Sequence, residues 1–373
     1  MKTYKIGLIG FGFIGKVHAK AYHSIPFCFE KPAAGGKVTA ILRNDPKQDH
    51  ELIDALGIPL CTDQKELFWD QDFDMIDICS PNASHYEYCL SAIEKNIPIY
   101  CEKPLTNEID DARTLAKLVM QNCIPTHTAF VYRTLPSVVL AKEIIQAGLL
   151  GEIHHFNAKL FHSSYLDPNR PISWRLQSST AGGGALTDLG IHLLDLCRYL
   201  LGETEWIQCQ AKTFIKTRPT TRDPNTFLEV NVDDWALSTL GLKNGGIGSI
   251  EVSRVAGGAG DTSMMEIFGS RGSLKLDFYK SETPQFFDVQ KDAWISGYKL
   301  LKDIHPNTNW PAGKRSLGRF MDSHIASITY FLNCLEEKIP SDANFESALK
   351  SQELLYAAYQ SAAMEGKKVA IDE

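Results

Sequence analysis

The chain has 373 residues, a net charge of −7 and a composition of 44% hydrophobic and 22% charged residues. That length allows two globular domains, and no apolar run reaches the roughly 20 residues that a membrane-spanning helix needs. The acidic balance and the lack of Lys/Arg clusters argue against nucleic-acid binding. We therefore expect neither nucleic-acid nor membrane partners.

The start of the chain and its cysteines indicate a cellular compartment. Met1 leads directly into the strand-like sequence TYKIGLIG, without the basic and apolar regions of a secretory signal, so we expect a cytoplasmic protein. The nine cysteines are scattered along the chain and form no C-x-x-C pair. This spacing predicts reduced thiols rather than disulfides, and it predicts no metal site.

The first third of the chain alternates apolar strand patterns with helical patterns. Strands are predicted near 4–9, 38–42, 75–79, 97–101 and 126–131, and helices near 13–24, 47–56, 83–95 and 107–121. Such alternation is typical of a doubly wound parallel sheet in an α/β protein. We assign this domain to residues 1–128.

A glycine-rich turn follows the first strand and opens the first helix. Gly10, Gly12 and Gly15 form a G-x-G-x-x-G motif, in which the glycines allow a tight turn, a close backbone approach to a pyrophosphate and close helix packing. The amides of Phe13 and Ile14 at the helix N-terminus would face the anion. The motif in this context predicts dinucleotide binding.

The end of the second strand normally reports which dinucleotide is bound. A carboxylate there accepts hydrogen bonds from the adenosine ribose of NAD, whereas an arginine accommodates the 2′-phosphate of NADP. Arg43 stands where the acid is expected, and Asp45 is the nearest alternative. The pattern leans toward NADP and leaves NAD open.

Polar residues follow the next strand, in the sequence ICSPNASHYEYC. Ser80, Asn82 and His85 fall at the carboxyl end of that strand, where open α/β sheets bind their ligands, so we predict cofactor contacts for all three. Asn82 is equally well suited to cap the following helix. His85 could instead be a supporting or solvent-facing residue.

The sequence YCEKP ends the predicted strand near 97–101. Glu102 and Lys103 reach the same carboxyl edge as the glycine turn, and we predict that both contact the cofactor. The Lys103 ammonium there could also donate to a substrate oxygen and stabilise charge that develops during hydride transfer. A surface Glu-Lys pair is the alternative, but Pro104 restricts the backbone of Lys103 and directs it away from the strand end.

The pattern changes after Gly151. Strand-like segments joined by glycine-rich turns predict an antiparallel or mixed sheet, with helices near 184–201, 317–337 and 345–364. We assign residues 129–373 to this second domain.

The predicted helix in the sequence GGGALTDLGIHLLDLCRYLLG carries a second polar cluster. Asp188, His192 and Asp195 stand at i, i+4 and i+7, which places them on one helical face. Histidine exchanges protons near neutral pH, and a carboxylate one turn away can orient it. A catalytic pair, a hydrogen-bonded core histidine and a metal ligand are the three interpretations.

Three further residues of the second domain are candidates. Trp174 and Arg175 would suit a cofactor or sugar contact, although core packing and a surface ion pair would explain them equally well. His162 ends the strand-like segment EIHHFNAKLFH, next to a loop expected to set substrate specificity. We place His162 among the predicted substrate contacts.

Taken together, GFGFIG, SPNxxH, CEKP and GGGxLxDxGxHxxD occur in this order. The chain resembles the glucose–fructose oxidoreductase, inositol dehydrogenase and rhizopine-catabolism (Gfo/Idh/MocA) family over almost its full length. The segments AYHSIPF, DPNRPISWR and NVDDWA look most like the branch of levoglucosan dehydrogenases and related sugar 3-dehydrogenases.

This resemblance implies a Rossmann domain followed by an α/β domain with a large open, mostly antiparallel sheet, one side of which faces the nicotinamide. The other side would form a homodimer or homotetramer. It also implies a cis bond before Pro104, with Lys103, Asp188 and His192 as catalytic residues that contact the substrate and Arg175 as a residue that holds cofactor or substrate.

The implied function is NAD(P)-dependent hydride transfer between nicotinamide and a ring hydroxyl of a sugar, glycoside, anhydrosugar or inositol. His192 would take the hydroxyl proton while Lys103 steadies the oxygen and Asp188 orients both. The acid that the family usually has after the second strand is missing. A non-catalytic dinucleotide-binding regulator of the same fold and a reductase of a non-sugar carbonyl are the alternatives.

Overall fold

The computed structural model describes residues 2–260, 262–280, 283–296 and 309–371. Within these residues the chain forms two compact units. The first unit comprises residues 2–134 and 309–349, and the second comprises residues 135–296 and 350–371. This division differs from the predicted boundary at residue 128, because residues 309–349 belong to the first unit. No helix among the described residues is both long and apolar enough to cross a membrane.

The helices and strands largely follow the predicted order. The strands are β1 (Lys2–Ile9), β2 (Ala34–Leu42), β3 (Leu60–Thr62), β4 (Met75–Ile78), β5 (Ile99–Cys101), β6 (Thr126–Thr128), β7 (Ile153–Phe161), β8 (Thr204–Lys212), β9 (Thr217–Pro219), β10 (Phe227–Glu229), β11 (Trp235–Leu242), β12 (Ile247–Ser253), β13 (Thr262–Gly269), β14 (Gly272–Asp277), β15 (Gln285–Asp288), β16 (Ala293–Ser296) and β17 (Val369–Ala370). The α-helices are α1 (Phe13–Cys28), α2 (His50–Ala55), α3 (Lys65–Trp69), α4 (His85–Glu94), α5 (Ile109–Gln121), α6 (Pro136–Gln146), α7 (Ser178–Ala181), α8 (Ile191–Leu201), α9 (Arg319–Glu337) and α10 (Phe345–Ala363). Short 3₁₀ turns span Asn82–Ser84, Val131–Thr134, Trp174–Leu176 and Gly313–Arg315, and a π-helical turn spans Leu186–Gly190.

The sheet of the first unit is parallel, with the strand order β3-β2-β1-β4-β5-β6. This is the order of a Rossmann fold, and its direction reverses between β1 and β4. All four residues of β4 are buried, as expected for a strand covered on both faces. The predicted doubly wound parallel sheet is confirmed. The short β3 and α3 are additional elements, too brief for their periodicity to be recognised.

Helix α9 explains why a late segment belongs to the first unit. Met321, Ile325, Ile328 and Leu332 recur at helical spacing on one face, and all four are buried in the core that β1 and α1 share. Each fully buried Ile or Leu side chain contributes about 1.5–3 kcal/mol of hydrophobic stabilisation. The apolar stripe therefore needs the first unit as its partner.

The sheet of the second unit has the strand order β16-β15-β14-β13-β7-β12-β11-β8-β17. Only the β7–β12 pair among these described strands is parallel, and the other neighbours pair in antiparallel fashion. Helix α6 contacts β14 and α8, and α8 contacts β7, while the π-turn packs on β11 and β12. The predicted large, mostly antiparallel sheet is confirmed; its use in oligomer formation stays a prediction.

Candidate active site

Three of the predicted segments meet at one edge of the first unit. Strands β1, β4 and β5 are neighbours, with Ile9 opposite Ile78 and Ile78 opposite Cys101. The glycine turn, the Ser80 loop and the Glu102–Lys103 segment each follow one of these strands directly. Since the strands are parallel, their carboxyl ends lie side by side at the point where the strand order reverses.

The glycine turn has the geometry that a dinucleotide pyrophosphate requires. Gly10 has a φ of +89°, which side-chain-bearing residues rarely adopt, and a Cβ on Gly15 would lie 2.1 Å from the Gly10 carbonyl oxygen. Gly12 is the N-cap of α1, and no side chain among the described residues caps this helix. The first amides of α1, starting with Phe13 and Ile14, thus form a backbone anion site that fits the cofactor.

His85 joins two of the loops at this edge. Its ring is fully buried, with Nδ1 3.0 Å from the Pro104 carbonyl oxygen and Nε2 2.9 Å from that of Ser80. Burial lowers the pKa of His85, so its neutral ring donates to one of these carbonyls at a time. The observed bonds give His85 a role in holding the loops, and a direct cofactor contact stays a prediction.

Asn82 does not occupy the helix-capping position. It begins the 3₁₀ turn Asn82–Ser84, and the N-cap of α4 is Ser84. The Ser84 hydroxyl donates to the Ser80 hydroxyl at 2.7 Å, which closes this turn next to the glycine loop. Asn82 and Ser80 therefore lie beside the glycine turn, where a cofactor contact stays predicted for both.

Glu102 and Lys103 follow β5 and lead from the buried sheet toward the surface. Glu102 is buried and Lys103 half-buried, and the bond between Lys103 and Pro104 is cis, as the family resemblance implies. The Lys103 backbone N–H donates to Glu102 Oε2 at 3.2 Å. Burial would raise the pKa of Glu102, but the ion pair with His18 and the charges near it lower the pKa to about 2. Glu102 is therefore a carboxylate at neutral pH.

A buried polar cluster that the sequence analysis did not identify adjoins this segment. His18 Nδ1 lies 3.1 and 3.0 Å from the two carboxylate oxygens of Asp77. His18 Nε2 lies 3.3 Å from Glu102 Oε1, an ion-pair distance whose alignment falls short of a hydrogen bond, and 3.2 Å from Nδ1 of His324. A histidine in the first helix carries little signal alone, because its partners lie far away in sequence.

Arg43 follows β2 as predicted, but its guanidinium is already engaged. It donates to the backbone and side-chain oxygens of Gln48 and to Asp49 Oδ2 at 3.1 Å. Lys16 donates to the other carboxylate oxygen of Asp49 at 2.8 Å. Hydrogen bonds from Lys16 and Arg43 lower the pKa of Asp49. Asp49, rather than Asp45, is the acid beside Arg43.

The second unit presents Asp188 and His192 on consecutive helical turns. Asp188 lies in the π-helical turn Leu186–Gly190, and His192 in the first turn of α8; both side chains are half-buried. Single π-turns inside helices occur often at functional sites. The two residues therefore occupy a distorted stretch of helix with accessible polar side chains.

Asp233, which the sequence analysis missed, anchors this turn. Its carboxylate accepts the backbone N–H groups of Gly184 and Leu186, both at 2.8 Å, and its carbonyl accepts that of Ala185 at 2.9 Å. The Tyr359 hydroxyl donates to the same carboxylate at 2.7 Å. A carboxylate on a distant loop thus caps the start of the helix.

Asp195 was predicted on the same polar face as Asp188 and His192, and the structure gives it a different environment. Asp195 is 1% exposed and accepts the Ser351 hydroxyl at 2.9 Å. The π-turn changes the angular spacing of the residues that precede α8, so the i, i+4, i+7 rule does not hold across it. Asp195 connects α8 to α10.

Trp174, Arg175 and His162 also belong to the second unit. The Arg175 guanidinium stacks over the Trp174 ring at 4.3 Å. His162 follows β7, and its Nδ1 lies 2.8 Å from the Ser164 hydroxyl. Arg175 and Trp174 thus form a cation–π pair, and the Ser164 hydroxyl orients the imidazole of His162. The contacts of these residues with cofactor and substrate stay predictions.

Comparison with known proteins agrees with both units. Residues 4–125 match the oxidoreductase family with an NAD-binding Rossmann fold, and residues 138–275 match the GFO/IDH/MocA C-terminal domain. Levoglucosan dehydrogenase from Pseudarthrobacter phenanthrenivorans is 31% identical over 334 residues, which cover 85% of this chain and 86% of that protein. The structure of levoglucosan dehydrogenase in complex with NADH and levoglucosan is 29% identical, with a TM-score of 0.91 and 100% of both chains covered. An oxidoreductase domain protein from Kribbella flavida has a TM-score of 0.90 at 27% identity, again with 100% of both chains covered.

Proposed function

The chain belongs to the GFO/IDH/MocA family of NAD-binding oxidoreductases, and on this premise we propose that it is a dehydrogenase of a cyclic polyol. The substrate class is a sugar, glycoside, anhydrosugar or inositol with a ring hydroxyl as the reacting group. The observation that carries the proposal is the common strand edge of the first unit, where the glycine turn follows β1 and Lys103 follows β5, with β4 between the two strands. The similarity to a levoglucosan dehydrogenase that binds NADH supports it.

The glycine turn and the N-terminus of α1 would hold the pyrophosphate of the cofactor, and Ser80 and Asn82 would contact it. Bound NAD⁺ supplies the hydride acceptor. A basic group must then remove the hydroxyl proton, and His192 performs this step because imidazole exchanges protons near neutral pH. Lys103 would donate to the substrate oxygen and stabilise its developing negative charge, while Asp188 would orient the Lys103 ammonium and the His192 imidazole.

The first test combines a substrate panel with two variants. Sugars, anhydrosugars and inositols are followed by nicotinamide absorbance, and wild-type turnover of at least one is expected. Lys103→Ala and His192→Ala should each lower kcat by about 10²-fold or more, as loss of a proton-transfer group does. The exposed Lys20→Ala and His154→Ala serve as matched controls that keep full activity.

Two results would contradict this assignment. Variants within a few-fold of wild type would remove Lys103 and His192 from the chemistry. Tight NADH binding without turnover of any member of the panel would favour the non-catalytic regulator, and turnover of aldehydes or ketones alone would favour a non-sugar reductase.

We propose NAD as the physiological cofactor, in place of the lean toward NADP. Arg43 has a mostly buried guanidinium that Asp49 and Gln48 already occupy, so a 2′-phosphate would have to break these bonds. Asp49 also places a carboxylate near the end of β2, where it would repel that phosphate. Wild-type kcat/KM should be higher with NAD⁺ than with NADP⁺; the reverse order would contradict the proposal.

A further inference from the structure

The interior of the first unit contains a chain of polar contacts that ends at the backbone of Lys103. Asp77 on β4 contacts His18 on α1, His18 contacts Glu102, and Glu102 Oε2 accepts the Lys103 backbone N–H. His18 and Asp77 are both 0% exposed. Solvent therefore does not screen the contact between His18 and Asp77, which strengthens it.

The groups around His18 come from every element packed against it. They are Tyr22 on α1, Asp77 on β4, Cys79 after β4, Tyr100 on β5, Glu102 after β5 and His324 on α9. Two of them, Asp77 and Glu102, are carboxylic acids, and they approach opposite nitrogens of the ring. A ring between two buried carboxylates is stabilised as an imidazolium, because its positive charge offsets both negative charges at once.

The remaining titratable groups agree with this charge distribution. Burial would lower the pKa of His18, but Asp77 and its other neighbours raise it well above the ordinary value. Burial, together with the charge of His18, lowers the pKa of His324 to about 3, so its ring is neutral and offers one acceptor nitrogen, which at Nδ1 would accept from His18. Burial raises the pKa of Cys79, which stays a neutral thiol.

We propose that His18 is a positioning residue of the active site: its buried imidazolium links Asp77 to Glu102 and thereby fixes the backbone of Lys103. This inference rests on the proposed role of Lys103 in catalysis. His18 itself touches neither substrate nor cofactor in this role. It acts through Glu102: the imidazolium holds the Glu102 carboxylate, and this carboxylate accepts the backbone N–H of Lys103.

The test is a double-mutant cycle in the whole 373-residue chain. His18→Gln and Glu102→Gln are made singly and together, and His127→Gln, alone and with Glu102→Gln, is the matched control. His127 is as buried as His18, but its ring nitrogens contact the hydroxyls of Ser341 and Ser327. It therefore reports the general consequence of replacing a buried imidazole in the same unit.

His18→Gln should lower kcat about tenfold with little change in the KM for the polyol, because a displaced Lys103 weakens the transition state more than the bound ground state. The double variant should be at least about threefold more active than the product of the two single effects, as expected for groups in direct contact. In the control cycle, the fold loss of kcat in the double variant of His127→Gln and Glu102→Gln should equal the product of the two single losses. Multiplicative effects for His18→Gln as well would overturn the proposal.

A second readout does not depend on turnover. Amide hydrogen exchange of the segment 102–106 in the cofactor-free protein should be faster in His18→Gln than in wild type, and unchanged in His127→Gln. Equal exchange in both variants would overturn the positioning role. If wild type oxidises no polyol, the proposed function fails while this measurement still decides whether His18 holds the Lys103 backbone.

A third measurement uses wild type alone and covers the case in which His18→Gln does not fold. Nitrogen-15 spectra of the histidine-labelled protein should show one histidine with both ring nitrogens protonated at pH 8, and this signal should disappear on denaturation. A neutral tautomer for every histidine, or a tightly bound zinc ion at about one per chain by elemental analysis, would overturn the proposal.

Discussion

At the scale of single residues, one carboxylate pairs with two cations near the end of β2. Asp49 has a φ of +63°, which turns its side chain back toward Arg43 and Lys16. Its charge is shared between two cations that would otherwise attract a 2′-phosphate. Asp45, the acid nearest to the strand end in sequence, has a different partner: its carboxylate accepts the Lys47 backbone N–H.

Replacement of Asp49 should shift cofactor preference. Asp49→Asn weakens the bonds to Arg43 and Lys16 and removes a negative charge that would repel a 2′-phosphate. The ratio of kcat/KM for NADP⁺ to kcat/KM for NAD⁺ should therefore rise. Loss of one charge of a solvent-accessible ion pair should change this ratio by up to about fivefold. Asp45→Asn is the matched control. An equal ratio in both variants would show that Asp49 does not select the cofactor.

At the scale of elements, the π-turn before α8 depends on the loop that precedes β11. Gly184 approaches Asp233 so closely that a Cβ would lie 1.9 Å from the Asp233 carbonyl oxygen. The glycine-rich sequence before Asp188 is therefore explained by the approach of this loop. The start of this helix lacks a local side-chain cap, and the Asp233 carboxylate replaces one.

Loss of this anchor should affect activity as well as stability. Asp233→Asn weakens the bonds to Gly184 and Leu186 and should cost about 1–3 kcal/mol, with kcat reduced about tenfold as Asp188 and His192 move. Asp234→Asn is a close control, because Asp234 is equally buried but accepts the N–H groups of Phe214 and Ile215. Thermal unfolding and kcat are measured for both. If Asp234→Asn lowers kcat as much, the anchor has no specific role.

At the scale of the whole molecule, buried histidines determine how stability responds to acid. Burial, together with Arg133, lowers the pKa of His127 to about 3, and burial lowers that of His324 similarly. The unfolded chain binds protons at these positions below about pH 6.5, whereas the folded chain does not, so stability falls as the pH falls below 6.5. His18 has the opposite sign, since its raised pKa preserves its contribution in acid.

Replacement of one neutral histidine should weaken the dependence of stability on pH. Between pH 7 and pH 5, His127 should account for a loss of about 2 kcal/mol in the free energy of unfolding, and His127→Gln should abolish that part. Urea unfolding at the two pH values measures it, with the exposed His154→Gln as control. The same loss in His127→Gln as in wild type would mean that His127 is not neutral in the folded protein.

Several features were determined by the sequence alone. The glycine motif, the Rossmann alternation of strands and helices and the positions of Lys103, Asp188 and His192 were all recognisable. These signals are local: a turn, a periodicity of two or 3.6 residues, or a proline acts within a few neighbouring positions.

Other features were decided only by the tertiary structure. Local sequence patterns did not reveal that α9 belongs to the first unit or that a π-turn precedes α8. Nor did they reveal the partners of His18, Asp49 and Asp233. His18 meets His324 across 306 positions, and Asp233 meets Gly184 across 49. Burial and charge at such sites depend on which distant groups the fold brings together, and a buried charge is stable only beside its partner.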